Sequence, residues 1–157
     1  MLTKEFLLAG RATFTVTTSQ EFRDAMQAKY PGKPQPRDRW TFKITHKAAS
    51  GKWGETWFVA YLAGSDNEGD YKSFARLNPE TGSVTLNRNC GLLETSWIVR
   101  IVGRVIKAIF EDRGAEIEAA GFRVMHAGKC AKCARTLTTP ESLDRGFGEE
   151  CWSKLKG

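Results

Sequence analysis

The sequence lacks a long uninterrupted apolar run. Its best candidate for a membrane segment, WIVRIVGRVIKAIF, contains Arg100, Arg104 and Lys107 and is shorter than the roughly 20 apolar residues that span a bilayer. The first ten residues, MLTKEFLLAG, hold too short an apolar run for a signal peptide, and no clear cleavage pattern follows them. We therefore expect a cytoplasmic protein that has no membrane partner and keeps its cysteines reduced.

The sequence also lacks the common catalytic motifs. It has no phosphate-binding loop and no nucleophile elbow, and neither of its two histidines stands beside an obvious nucleophile. The acidic stretch SDNEGD offers Asp66, Glu68 and Asp70 as oxygen ligands for a divalent cation, but the full calcium-loop pattern is missing. We expect a protein that is not an enzyme and has no catalytic residues.

Basic residues are in excess. The formal net charge is +6 and the isoelectric point is about 9.3. Residues 1–50 carry nine Lys and Arg against four Asp and Glu, so the excess lies mainly in the N-terminal third. This balance favours an anionic partner, nucleic acid first, although a solvated basic surface explains the same composition.

Apolar periodicity predicts an α+β fold. Alternating residues indicate strands in ATFTVTTS, WTFKITHK and the hairpin that surrounds NPETG, while TWFVAYLAG is apolar on both faces, as a central strand is. From Trp97 to Ile109 the apolar residues recur at helical spacing, with Gly114 as the predicted stop. EIEAAGFRVMH, residues 116–126, is then expected to lead into the cysteines as an extended strand. We predict a body over residues 1–120, an antiparallel sheet of about five strands with one long amphipathic helix, and a C-terminal unit over residues 121–157.

The C-terminal unit contains three of the four cysteines, in HAGKCAKCARTLTTPESLDRGFGEECW. Cys130 and Cys133 have the two-residue spacing of a zinc knuckle, and Cys151 follows near a predicted helix start. A structural zinc takes four ligands, and His126, four residues before Cys130, is the predicted fourth. The alternatives are Cys90, His46, water or a ligand from a partner.

A structural Zn²⁺ explains how so small a unit folds. Its large apolar residues are few: Leu137, Leu143, Phe147 and Trp152. Zinc binding is worth on the order of 10 kcal/mol in such units. Thr138 and Glu141 match a helix capping box, and the order of knuckle, helix and late ligand predicts a treble-clef-like zinc module. A redox pair or three unconnected thiols are weaker interpretations of the same residues.

The cysteine segment resembles the C-terminal zinc-binding segment of a family of small, poorly characterised bacteriophage and prophage proteins. FLLAGRATFTV, WTFKI, WFVAYLAGSDNEGDY and YKSFARL are similar to the N-terminal part of that family. The resemblance implies a phage-encoded protein in the bacterial host cytoplasm. It also implies one that binds a host protein or nucleoprotein complex and interferes with a host macromolecular machine, such as a host-defence or CRISPR-type complex. It assigns no activity to any residue.

Nucleic-acid binding is the alternative function, because basic residues surround the knuckle and one irregular loop. Cations near a zinc knuckle commonly face phosphate, but they also stabilise thiolate ligands. The predicted contact residues, for nucleic acid or a protein partner, are Lys33, Arg37, Arg39, Lys43, Lys47, Trp53, Lys129, Lys132 and Arg135.

Overall fold

The computed structural model describes residues 2–52, 54–66 and 68–156. Its helices are α1 (Lys4–Leu8), α2 (Gln20–Lys29), α3 (Trp97–Phe110), α4 (Gly114–Ala119), α5 (Pro140–Arg145) and α6 (Glu149–Lys156). Its strands are β1 (Arg11–Thr18), β2 (Arg39–Lys47), β3 (Thr56–Leu62), β4 (Tyr71–Leu77), β5 (Val84–Leu86) and β6 (Phe122–His126). The predicted α+β class is confirmed.

All six strands form one antiparallel sheet in the order β5-β4-β3-β2-β1-β6. The sequence analysis predicted about five strands, and the sixth is β6, which pairs with β1 from Phe14↔His126 to Thr18↔Phe122. β6 belongs to the C-terminal unit, so that unit extends the sheet of the body. The division at residue 120 stays a prediction.

One face of the sheet is buried and the other is open. Residues such as Phe14, Phe42 and Val59 alternate along their strands and belong to one core cluster with the apolar stripe of α3. That stripe, Ile98, Ile101, Val102, Val105, Ile106 and Ile109, has the helical spacing that the sequence predicts. Period-2 burial in the strands and period-3.6 burial in α3 therefore place the helical layer on a single face.

Two helix boundaries differ from the prediction. α3 ends at Phe110 rather than near Gly114, because Asp112 adopts a left-handed φ of 56° and the N–H of Arg113 donates to the carbonyl of Ala108 at 2.7 Å. Such a bond satisfies a carbonyl at a helix end. Gly114 instead begins α4, which occupies the first part of a segment that was predicted to be extended.

Gly82 confirms the predicted hairpin turn. Its φ is +78°, and a Cβ at this position would lie 2.6 Å from the ring of Phe110. Only glycine fits this conformation beside this ring. The turn between β4 and β5 is thus fixed against the end of α3.

No helix among the described residues combines the length and the apolar character that crossing a bilayer requires. The cytoplasmic location stays a prediction.

Candidate metal centre

Three cysteine sulfurs meet at the C-terminal end of the chain. The Sγ atoms of Cys130, Cys133 and Cys151 all lie within 4.8 Å of one another. Three sulfurs bound to one tetrahedral ion at about 2.3 Å would lie roughly 3.8 Å apart, so the cluster needs only a small contraction to hold a metal. Three of the four predicted ligands are therefore together.

The knuckle is built by a short loop that closes on itself. Lys129 and Thr136 form an isolated antiparallel bridge, and the N–H of Cys130 donates to the carbonyl of Arg135 at 2.8 Å. The N–H of Ala134 donates to the carbonyl of Cys130 at 2.9 Å, and Ala134 adopts a left-handed φ of 65°. This turn aims Cys130 and Cys133 toward the same point.

The third sulfur is positioned by α5 and by the turn that follows it. Thr139 caps α5 with a reciprocal pair of bonds to Ser142, one residue later than the predicted box of Thr138 and Glu141. α5 ends at Gly146, which has a φ of 77° and whose carbonyl accepts from the N–H of Ala131 at 3.0 Å. This bond ties the end of α5 to the knuckle. α6 then carries Cys151 in its first turn, as predicted.

The electrostatics of the cluster suit a cation. Burial alone would raise the pKa of Cys130, but backbone N–H groups of Gly148, Cys133 and Lys132 donate to its sulfur and bring that pKa down to about 7. Burial, then hydrogen bonds to the other two sulfurs and their charge, raises the pKa of Cys151 to about 11. At neutral pH Cys151 therefore keeps its proton unless a metal ion replaces it. Soft sulfur donors held by backbone amides fit a thiophilic metal ion.

His126 is not in the cluster. Its Nδ1 accepts from the N–H of Gly128 at 2.9 Å, and its Nε2 donates to the carbonyl of Leu143. Both ring nitrogens are therefore engaged, and the ring joins the end of β6 to α5. A histidine four residues before Cys130 can bind the ion or can hold the backbone beside the knuckle. His126 does the second.

The other two candidates for a fourth ligand also lie elsewhere. The Cys90 thiol donates to the carbonyl of Leu92 at 3.6 Å and packs against the core. His46 is paired with Glu55 at 2.6 Å, and its ring stacks on Trp57 with centroids 4.5 Å apart. Neither residue belongs to the metal-type cluster found among the described residues.

The C-terminal unit shares its core with the body. The ring of Phe147 meets Phe6 of α1 edge-on, with centroids 6.1 Å apart. The N–H of Arg11 donates to the carbonyl of Ala131 at 2.7 Å, which joins the knuckle to β1. Leu143, which the sequence analysis placed in a small separate core, is 41% exposed. α1 supplies the missing apolar partner.

A family model matches the part of the chain that contains this cluster. Residues 123–156 match a family model described as "Family of unknown function (DUF6011)". The matched segment runs from β6 into α6 and contains the three clustered cysteines and His126. No curated protein and no solved structure matches the chain. The phage resemblance and the zinc motif stay predictions.

Seven of the eight predicted basic contact residues lie in three places: on β2, at the knuckle and in the loop before β2. Arg39, Lys43 and Lys47 are on the solvent-facing side of β2. Lys129 lines a shallow cavity between the knuckle and that side of the sheet, together with Arg11 and Lys43. Lys132 and Arg135 are exposed on the knuckle, and Arg37 is exposed in the loop before β2.

Two predicted contact residues do not join these groups. The Lys33 ammonium lies 4.4 Å from the ring centroid of Trp97 and donates to the carbonyl of Thr95, beside the start of α3. Trp53 lies outside the described residues. Sequence analysis missed Arg11, Arg76 and Arg123, although strand alternation places Arg11 on the threonine side of β1.

The acidic turn is held by its own side chains. Asp66 accepts from the N–H of Glu68 at 3.0 Å, and Asp70 accepts from the N–H of Asp66 at 2.8 Å. Glu68 reaches the ammonium of Lys129 at 3.7 Å. These carboxylates do not form a cation-type cluster among the described residues.

Proposed function

We propose that this chain is a non-enzymatic nucleic-acid-binding protein that uses the open face of its sheet and carries a structural zinc module. Of the two functions that the sequence suggests, the geometry favours this one. The observation that carries it is the charge of the open face.

The open face consists of the strand positions that point away from α3. Its positions, in chain order, are Arg11, Thr13, Thr15, Thr17, Arg39, Thr41, Lys43, Thr45, Lys47, Thr56, Phe58, Ala60, Leu62, Tyr71, Ser73, Arg76, Thr85, Arg123 and Met125. None of these residues is buried. Six are Lys or Arg and none is Asp or Glu, so the strands present a surface of one sign.

Such a surface complements a chain of phosphates. Six strands about 4.8 Å apart make a face roughly 24 Å wide, on which the six cations are spread over four of the strands, β1, β2, β4 and β6. Phosphate contacts by Lys and Arg provide most of the affinity of sequence-independent binding. Threonine hydroxyls between the cations can donate to phosphate or sugar oxygens.

Aromatic side chains on the face favour a single strand. Phe58 and Tyr71 are half-buried on the open face, and the ammonium of Lys43 lies 5.3 Å from the Tyr71 ring centroid. Bases stack on such rings, and cationic groups alongside follow the backbone. A duplex would hide its bases from both rings.

The zinc module rests on the donor set of the cysteine cluster. The three sulfurs would be the ligands of a thiolate metal site, and the amide N–H groups directed at Cys130 would support that ligand from outside. In the treble-clef arrangement the knuckle comes first in the chain and a ligand carried by a helix comes last, which is the order here. Zn²⁺ would neutralise the thiolates and supply binding energy where the apolar core is thin.

Oligonucleotide binding at several salt concentrations tests the proposal. We expect a fluorescent single-stranded oligonucleotide to bind with an affinity that falls steeply with salt. Replacing Arg39 and Lys43 with Gln should reduce the log–log salt slope by about 1.4, since each lost phosphate contact is worth about 0.7 on a single strand. The matched control replaces Lys29 and Lys107, on the helical layer, with Gln.

Three ligands show which form of nucleic acid the protein binds. Single-stranded DNA, single-stranded RNA and duplex DNA are compared on the same protein. Duplex binding as tight as single-strand binding would remove the role of Phe58 and Tyr71. Binding that is insensitive to salt, or lost equally in the Lys29 and Lys107 control, would overturn the assignment of the open face.

A second candidate is the predicted interference with a host machine, through a protein interface. One feature favours it: a groove of about 650 Å³ beside β6 is lined by exposed apolar residues, among them Met125, Leu143 and Leu155. β6 is an edge strand, and an extended partner segment could pair with it. A purified host protein that binds the parent at high salt after nuclease treatment, and does not bind the Leu155→Lys variant, would support this function.

A further inference from the structure

The cysteine cluster provides three donors among the residues that the structure describes. Among the described residues, no other His, Cys, Asp or Glu atom lies with the three sulfurs. His126 uses both ring nitrogens in hydrogen bonds to the backbone. A structural zinc site made by one chain usually has four protein ligands, so this set is one short.

The three sulfurs are not equally exposed. Cys130 is fully buried against the core, whereas Cys133 and Cys151 are half-buried. Both line a cavity of about 420 Å³, between the loop that carries Thr136–Thr139 and the first turn of α6. The side of the cluster opposite Cys130 therefore faces open space.

Two of the polar groups on the cavity walls are already bonded to neighbouring residues. The Glu150 carboxylate pairs with Lys154 at 3.5 Å, and the Ser142 hydroxyl bonds to Thr139. Glu149 is exposed in the first turn of α6 and lies outside the cluster. Neither carboxylate belongs to the cluster of the three sulfurs.

We propose that the metal is held by three thiolates and that its fourth position faces this cavity, where it takes a ligand from outside the chain. In the isolated protein that ligand is water, and an added thiol replaces it as a thiolate, releasing the water and the thiol proton to solvent. This inference rests on the proposed zinc module.

A thiolate is the ligand class that this environment selects. A metal already bound by three sulfurs takes a fourth soft donor readily, since four-thiolate zinc is a common site. Arg135 and Lys154 line the same cavity together with Glu149 and Glu150, so its wall carries equal numbers of cationic and anionic side chains. The thiolate can come from a small molecule or from a cysteine of a partner protein.

Cobalt substitution of the full chain tests the inference. The sulfur-to-cobalt charge-transfer absorption counts Co–S bonds, so it should rise by about a third when a fourth sulfur joins three. One arm adds 2-mercaptoethanol, and a second arm adds a short peptide with one cysteine. Saturation by the small thiol favours a metabolite source, and a much tighter response to the peptide favours a partner cysteine.

The variant His126→Gln separates this inference from the ligand set that the sequence predicts. We expect its cobalt spectrum and its response to thiol to match those of the parent. X-ray absorption at the zinc edge of the unmodified protein should show three sulfurs and one light atom without the multiple scattering of an imidazole, and this measurement needs no variant.

Different failures have different meanings. An imidazole signal, or a parent spectrum that does not respond to either thiol, overturns the open position and leaves the zinc module standing. Protein that binds neither Co²⁺ nor Zn²⁺ overturns both the open position and the module.

Discussion

The body and the C-terminal unit bury very different numbers of large apolar side chains. In the body the sheet and α3 enclose a core that includes Phe14, Phe42, Phe74 and the isoleucines of α3. Among the described residues of the C-terminal unit, the large buried side chains are Phe122, Leu137 and Phe147. Phe122 belongs to the sheet, so the knuckle and the two last helices depend on two large side chains, on Phe6 of α1 and on three sulfurs.

This difference shows where each region obtains its stability. Burial of apolar area is worth about 25 cal/mol per Å², and the body has enough of it to fold around its own core. The C-terminal unit has little, and loops such as residues 127–139 lose conformational entropy without compensating burial. A metal ion supplies that free energy at a single point.

Removing the metal should have the largest effect. We expect a chelator, or Cys130→Ser, to unfold the knuckle and α6 while β2 to β4 keep their amide protection, because zinc contributes on the order of 10 kcal/mol to small modules. Hydrogen exchange read by mass spectrometry resolves the two regions. Cys90→Ser is the control, and equal protection with and without chelator would show that the unit does not depend on metal.

Replacing a central core residue should reverse that pattern. Phe42 is fully buried between Phe14 and Phe74, with ring centroids 5.6 and 6.5 Å away. We expect Phe42→Ala to lower the free energy of unfolding of the metal-loaded protein by about 3–5 kcal/mol, measured by chemical denaturation. Leu93→Ala, at a site that is 71% exposed, should change it by less than about 0.5 kcal/mol. Similar losses in both variants would contradict the assigned core.

The two regions also differ in how far sequence alone predicts them. Strand alternation and the helical spacing of α3 are local patterns, so the sequence predicts most strands of the body and the long helix. Sequence analysis predicted the sixth strand as an extended approach to the knuckle and did not place it in the sheet. Its pairing with β1 joins residues more than a hundred positions apart. No local pattern carries that information.

The candidate site was predictable in its sulfurs and not in its surroundings. The spacing of Cys130 and Cys133 requires a tight turn, and Cys151 follows at a helix start. Spacing shows only that His126 can reach the ion, whereas competing bonds to Gly128 and Leu143 decide where its ring lies. The contact of Phe6 with Phe147 depends on tertiary packing, which also explains why α1 had no predicted role at the site.

A glycine substitution tests how closely the C-terminal unit packs on the body. Gly146 has a left-handed φ, and a Cβ there would lie 2.6 Å from the Phe6 ring. We expect Gly146→Ala to cost more than the 1–2 kcal/mol or so of a left-handed alanine, because the ring must also move.

Gly128→Ala is the matched control for that substitution. Gly128 has the same φ of +77° and nothing within 4 Å of its added Cβ, so the difference between the two variants isolates the contact with Phe6. Equal losses in free energy of unfolding, measured on metal-loaded protein, would mean that the unit does not rest on α1.

The smallest effect should come from the one alanine that the knuckle holds in a left-handed conformation. Ala134 has a φ of 65°, which costs an alanine roughly 1–2 kcal/mol relative to glycine. The greater conformational entropy of glycine in the unfolded chain opposes this gain by about 0.4–1 kcal/mol. Ala134→Gly should therefore stabilise the metal-loaded protein by about 0–1.6 kcal/mol. In metal-free protein the turn is not held, so the gain should vanish. A gain of the same size without metal would mean that the knuckle folds unaided, and the contrast between the two regions would then be one of degree.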